Sequence, residues 1–475
     1  MKLEIPFTGP SYASSSRMIS GQECVNFYLR SYPDLGKDKY ALIGVPGLEN
    51  WIDLGSDPVR GSLVIGATLY VVVGNSFYSV DTEGGYTLIS ILGTTSGIVS
   101  MATNGVDIVI VDGYSGYVYD LEEETLSLID SPTFPNGTKT ISYIDGYYLV
   151  SNPNTGQIWR SDWQDGSSWG GLAFSTAGAD PDNVVGLIVD HGDVWVIGEY
   201  TTEIWYNTGA QIFNFARIEG ALIEQGGVSP YGVCKANNAV YWVGRDRLGN
   251  GQIFQAVGRQ PKVISTPPIV YALSQYTTID DVVSFAYQMG GHVHVVFTFP
   301  SAKATWVYDS TVGLWHERSS RIDGDDTYWR GICHSVLSGS HIVGDWSTGK
   351  LYKMKSDVYD EGGEVLISTR ISQIIRKVQN RITIDEIKFL CEVGVGLVTG
   401  EAEDVDPMAL VSWSRDGGNT WSPEVDVPLG KIGEYDFQPK VRQLGQGRNW
   451  VIKLRISAAV KRVILGAIAE VEENE

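Results

Sequence analysis

TLYVVVGNSFYSVD (68–81) and VDIVIVDGYSGYVYDLE (106–122) follow one plan. Each holds a β-branched or aromatic run, a turn of Gly, Asn or Asp, and a second run with an aromatic near its end. Val, Ile and Tyr suit a pleated, half-buried surface, and Gly and Asn supply the backbone conformations of a tight hairpin. The unit returns in GYYLVSNPNTGQIWRSDW (146–163), DVWVIGEYTTEIWYNTG (193–209), AVYWVGRDRLGNGQIFQAVG (239–258), HVHVVFTFPSAKATWVYD (292–309) and HIVGDWSTGKLYKMKSD (341–357). With the second-run aromatic as anchor, the copies fall at Tyr78, Tyr119, Trp159, Trp205, Phe254, Trp306 and Tyr352, at intervals of 41, 40, 46, 49, 52 and 46 residues. A four-stranded propeller blade takes about 40–50 residues. Further short strands, such as GIVSMATN (97–104) and VVGLIVDHG (184–192), supply the second hairpin of each unit. The pattern predicts an all-β protein with a propeller of six to seven blades.

A boundary falls near 358–364, at the Gly-rich acidic stretch YDEGGEV. Beyond it, ITIDEIKFLCEVGVG, MALVSWSRDGGNTWSPEVDVPLG and VIKLRISAAVKRVILGAIAEVEE read as paired strands, which predicts a separate C-terminal β-sandwich. Before the repeats, Pro6, Gly9, Pro10 and Ser14–Ser16 argue against early regular structure. The expected division is an N-terminal arm over 1–45, a propeller over 46–360 and a sandwich over 361–475. The arm either reaches a neighbour or packs on its own domain. If it reaches a neighbour, deleting residues 1–20 is expected to leave the fold intact but to weaken docking.

Composition agrees. Of 475 residues, 43% are hydrophobic and 19% charged, enough apolar material for large cores, and 55 Gly with 25 Tyr and 14 Trp fit many short strands. The net charge is −21, of which residues 1–364 carry −19 and 365–475 carry −2. Such a body repels polyanions and lacks the basic footprint of a nucleic-acid binder. The four cysteines, Cys24, Cys234, Cys333 and Cys391, are far apart, which predicts free thiols rather than a disulfide framework. The N-terminus lacks an apolar signal core, and no run approaches a transmembrane length. A soluble protein made in the cytoplasm is expected.

Few residues carry a chemical signal. SRDGGNTW fits the Asp-box pattern, with Ser414, Asp416, Gly418, Thr420 and Trp421 at its fixed positions. Asp416 is placed to accept backbone N–H groups, Gly418 tolerates positive φ, and Trp421 covers the turn. Asp boxes are structural turns remote from chemistry, so these residues are expected to hold a hairpin. SDWQDGSSW (161–169) is a degenerate echo. Sialidase-type hydrolysis needs an arginine cluster for a carboxylate, and the candidates Arg60, Arg160, Arg217, Arg245, Arg247 and Arg259 are sparse. His292 and His294 share a strand face, but spacing marks no third metal ligand, and His316, His334 and His341 read as isolated. DGDD (323–326) lacks the EF-hand spacing and reads as a solvated loop. No catalytic residue, cofactor or metal is expected.

Two stretches carry a family resemblance. VNFYLRSYPDLGKDKYALIGVPGLENW near the N-terminus, and the ordered Asp-box hairpin, GKIGEY and RQLGQGRNWVIKLRIS near the C-terminus, resemble the packaged-DNA stabilisation (tail hub) proteins of short-tailed bacteriophages. SYIDGYYLV and IWYNTG fit the same family. The resemblance implies a non-enzymatic virion protein assembled in a ring, a hexamer, below the portal and adaptor. It implies a DNA channel continued through that ring, packaged DNA retained, and a platform for a tail needle or spikes. It implies no cofactor, no membrane and no sequence-specific DNA binding. Two other readings stand beside it: a glycan-binding or sialidase-like propeller, favoured by the tryptophans and the Asp box, and a kelch-type scaffold, favoured by YDSTVGLWHE (308–317).

Overall fold

The computed structural model describes residues 1–32, 40–178, 182–246, 249–376 and 381–474. Seven blades of four antiparallel strands, labelled A to D outward from the axis, form the body. Blades 1 to 6 span 59–91, 100–128, 141–176, 184–217, 233–263 and 283–322. Blade 7 takes strands A to C from 331–355. All seven anchor aromatics lie on strand C, one per blade, which explains their regular spacing.

Each blade is apolar on both faces, so it is stable only between neighbours. Seven buried clusters fill the gaps. Val72 and Phe77 of blade 1 meet Ile108 and Tyr117 of blade 2, and Trp195 and Ile204 of blade 4 meet Trp242 and Phe254 of blade 5. The last gap, between blades 7 and 1, holds Leu337, Ile342, Val59 and Leu69. Each large side chain buried there contributes about 1.5–3 kcal/mol. Strand A of every blade touches strand A of the next, and that of blade 7 returns to blade 1. Gly61 permits one of these approaches: a Cβ there would stand 2.3 Å from the Val99 carbonyl oxygen.

The N-terminal region supplies six strands: β1 (Lys2–Ile5), β2 (Tyr12–Ala13), β3 (Gly21–Val25), β4 (Phe27–Ser31), β5 (Tyr40–Gly44) and β6 (Gly47–Asp53). β6 is strand D of blade 7. It runs antiparallel to Lys350–Lys355, with Asn50 opposite Tyr352, so a segment from before blade 1 closes the ring.

The other five strands correct the expected arm. β1 pairs along Val463–Asn474, and β5 pairs with the same strand and with β4. β3 pairs with Ser368–Ile371 and β2 with β3. Thus both sheets of the C-terminal sandwich are built from the two ends of the chain. One sheet holds β1, β4 and β5 with Arg381–Cys391, Lys440–Gly447 and Val463–Asn474. The other runs β3, Ser368–Ile371, Val451–Ile456, Met408–Ser414, Val425–Pro428, and at its inner edge β3 meets blade 6 through a parallel bridge, Val25 to Glu317. Ile5, Phe7, Cys24, Phe27 and Leu42 pack in one core with Ile384, Phe389, Trp450 and Leu454. The prolines and serines that suggested an arm lie in the loops joining short strands. The Pro-containing loop of the quoted N-terminal motif, 33–39, lies outside the described residues.

Candidate interaction surfaces

The Asp-box hairpin joins Met408–Ser414 to Val425–Pro428. Asp416 Oδ1 accepts the Asn419 and Thr420 N–H groups at 3.0 and 2.9 Å and the Ser414 hydroxyl at 2.7 Å. Its Oδ2 accepts the Thr420 hydroxyl at 2.7 Å, and Ser414 Oγ in turn accepts the Gly418 N–H at 2.8 Å. These donors hold the Asp416 carboxyl well below its ordinary range. Gly417 and Gly418 both have positive φ, 79° and 95°, where a side chain would be strained. The turn thereby consumes the acceptor capacity of its own aspartate. Arg17 caps it, donating to the Gly418 carbonyl at 2.6 Å. In the echo at 161–169, Trp169 is buried and donates to the Gly166 carbonyl at 2.9 Å.

The described candidate arginines are spread over blades 1, 3, 4 and 5, with Arg245 and Arg259 both on blade 5, and each has its own partners. Arg60 is buried and donates to the Gly74, Thr94, Ser96 and Gly97 carbonyls. Arg160 lies over the Tyr147 ring, Arg217 faces Glu203 at 3.6 Å, Arg245 pairs with Asp280 at 2.6 Å, and Arg259 pairs with Asp193 at 2.9 Å. Arg247 lies outside the described residues. The structure does not bring these described arginines together.

The histidines are gathered more than the sequence indicated. His292 and His294 share a face of blade 6 with Asp309 and His316, and Tyr28 of β4 packs against all three imidazoles with ring centroids 5.2, 5.4 and 6.4 Å away. His292 Nδ1 lies 2.6 Å from Asp309 Oδ2. Burial lowers His294 to about 4 and His316 well below the ordinary imidazole value, so both are neutral. His334 and His341 also meet, Nε2 to Nδ1 at 2.9 Å. Among the described residues no group of three or more His, Cys, Asp or Glu is arranged to hold a metal ion. DGDD (323–326) is exposed: Asp323 and Gly324 make a hairpin turn, and Asp325 and Asp326 open the strand that follows. Burial pushes the thiols of Cys24, Cys234 and Cys391 up to about 12, and all four cysteines are unpaired.

The propeller–sandwich junction carries groups that sequence reasoning missed. Glu361, in the Gly-rich acidic stretch at the expected domain boundary, is buried. Its Oε2 accepts from Ser320 at 2.5 Å and from Arg330 Nε at 3.2 Å, and its Oε1 lies 3.8 Å from Arg318. Arg318 is fully buried over the Trp329 ring and donates to the Pro46 carbonyl. Burial raises the Glu361 carboxyl while the two arginines oppose that rise. Nearby, Ser11 donates to Glu317 at 2.5 Å, and burial pushes that carboxyl up to about 7. Arg370, also buried, donates to the Phe7, Pro10 and Glu23 carbonyls and to Gln22 Oε1. Three of these acceptors are carbonyls contributed by loop or strand backbone, a contact with no side-chain signature in sequence.

A polar cavity of about 1040 Å³ opens on one end of the propeller, lined by loops of blades 3 to 6 that include Asn154, Asn183, Glu199, Tyr200 and the Arg245–Asp280 pair. Tyr200 stands 72% exposed at its edge. No helix among the described residues is long and apolar enough to cross a membrane.

Comparison with known proteins places the chain. No curated protein matches it in sequence. Several solved structures match at low identity and with TM-scores below 0.5. The computationally designed Ika8 protein matches at 10% identity, TM-score 0.41, over 65% of this chain and 99% of its own. The N-terminal domain of Nup159 matches at 10%, TM-score 0.42, over 70% and 98%. The WD40 propeller of Doa1 matches at 11%, TM-score 0.39, over 65% and 97%. Two family profiles match in sequence: one described as bacteriophage P22 Gp10, beta-propeller, over residues 15–359, and one as bacteriophage P22 Gp10, beta-sandwich, over 369–472. With propeller and sandwich both matched in order, the chain belongs to the bacteriophage P22 Gp10 family, a family of phage structural tail proteins.

Proposed function

We propose that this protein is a tail hub of a phage particle. Copies form a closed ring, a hexamer, below the portal and adaptor. The ring continues the DNA channel, helps retain packaged DNA, and offers a platform to a needle or spikes. The protein is made and assembled in the host cytoplasm, and its role is structural rather than enzymatic. The observation that carries this reading is the paired family match across both domains. The charge supports it: residues 1–364, which hold the propeller, carry −19 and repel a passing duplex instead of holding it. Electron microscopy of the purified protein, alone and mixed with portal–adaptor complexes of the same phage, tests it. An added ring on the complex is expected. Dispersed particles that ignore the complex would overturn the hub reading. The polar cavity beside exposed Tyr200 favours one second reading, a glycan site, which a glycan array would test.

A further inference from the structure

The Asp-box end of the sandwich is basic on an acidic chain. Four exposed arginines gather there. Arg17 bonds the turn at Gly418. Arg415 lies over the Trp450 ring, its guanidinium 5.9 Å from the centroid. Arg448 adjoins Asn449, whose carbonyl accepts the Gly417 N–H at 2.8 Å. Arg376 follows Ile375, which exchanges backbone hydrogen bonds with Trp450. Among the described residues none of the four is in an ion pair, and the acid at their centre, Asp416, is saturated by its own turn. Met18 and Ile19 stand exposed beside them.

A surface of the opposite kind lies on the propeller. Blades 1 and 2 end in turns carrying exposed Glu83, Glu122, Glu123 and Glu124. Beside these turns, the outer strands Tyr86–Ile91 and Thr125–Leu128 expose Tyr86, Leu88 and Leu128. Both strands are unpaired on their outer side among the described residues. Each surface therefore joins one sign of charge to exposed apolar side chains.

One molecule does not bring the two together. The sandwich is attached to blade 6, and Met408–Ser414 lies four strand spacings outboard of that blade, about 19 Å. Blade 2 is three blades further round the ring. We infer that the Asp-box end of one copy docks on the acidic edge of blades 1 and 2 of a second copy. Two unlike patches make the contact head-to-tail, the type that closes into rings. Charge complementarity selects this occupant over a nucleic acid, because the chain's net −21 repels a polyanion that four arginines would have to hold. The inference rests on the ring reading and names the surfaces that build it.

Charge exchange tests it. Self-association of the full chain is followed by sedimentation velocity at low and moderate salt, for wild type, for Arg376→Glu with Arg448→Glu, for Glu122→Lys with Glu123→Lys, and for the four changes together. Each reversal is expected to weaken association by roughly tenfold or more, and the combined variant to recover most of it. Unchanged melting temperatures confirm that the exposed substitutions leave the fold intact. Association that ignores the reversals would overturn these surfaces and leave the ring standing. If wild type is monomeric in solution, the same variants are mixed with portal–adaptor complexes: equal ring formation by all of them overturns the surfaces, and no ring by wild type overturns the hub reading itself. Capture of a DNA duplex by wild type but not by the arginine variant would assign the patch to phosphate and also overturn the proposal.

Discussion

Replacing Phe7 with alanine separates a folded N-terminus from a free arm. The Phe7 side chain is 1% exposed and meets Phe389 edge-on, ring centroids 5.8 Å apart at 70°. Truncating a buried phenylalanine costs about 3–5 kcal/mol, and an edge-to-face aromatic pair adds about 0.5–1.5 kcal/mol beyond its area. The Phe7 carbonyl also accepts from the buried Arg370 at 2.7 Å, so collapse into the cavity strains that bond. A loss of about 4 kcal/mol is expected. For a sandwich unit of roughly 150 residues each kcal/mol lowers the melting temperature by about 2–4 °C, so the transition should fall by about 10 °C. Differential scanning calorimetry measures it, with Ile19→Ala as a control, since Ile19 is 67% exposed in the same segment. That control should stay within about 0.5 kcal/mol of wild type. If Phe7→Ala melts with the wild type, the segment is not in the core and the reasoning fails. The same result decides the deletion of residues 1–20. That deletion removes β1, Phe7, three partners of buried groups and the Arg17 cap, so loss of the folded sandwich is expected in place of an intact fold.

Glu361→Gln leaves Arg318 and Arg330 buried with Asp345, 3.6 Å from Arg330, as the remaining acid, and should cost about 3 kcal/mol by denaturant unfolding; a midpoint within error of wild type would show that the node is solvated. Stability should also fall on acidification. His294 holds its proton less tightly when folded, about 4 against 6.5, so the unfolded chain binds more protons in that window. Its contribution is complete above about pH 6.5 and decreases toward pH 4, by about 3 kcal/mol. His316 and His334 shift in the same direction. The urea midpoint of His294→Gln should vary less between these pH values than that of wild type, and equal slopes would refute the assignment. Asp416→Ala removes the acceptor that gathers the Asn419 and Thr420 N–H groups and should cost about 1 kcal/mol or more; an unchanged melting temperature would show that the turn holds nothing.

The propeller is written in local sequence. A hairpin is a contact between neighbours in the chain, and its strand alternation, turn residues and strand-C aromatic all lie within about 50 residues. That is why seven anchors correspond to seven strands C without any knowledge of the ring. The Asp box was legible for the same reason, since every donor to Asp416 lies within four residues of it. Sequence alone also placed −19 of the net charge before residue 365.

Everything that joins distant segments was decided by the tertiary structure. β6 closes blade 7 from about 300 residues away because the last blade lacks a strand and the first segment has one to give. The run from Lys2 to Gly44, broken by Pro and Ser, read as an arm because its strands are short; β1, β3 and β5 pair with residues 368–474, and β2 and β4 pair in turn with β3 and β5. Glu361 stood in a stretch whose composition is that of a surface loop, and only burial against Arg318 and Arg330 makes it a buried ion. The arginines around the Asp box come from four separate parts of the chain and carry no motif. Local patterns are set by backbone propensity and alternation. Which distant surfaces share a core, a charge or an edge is set by three-dimensional packing, which sequence spacing does not encode.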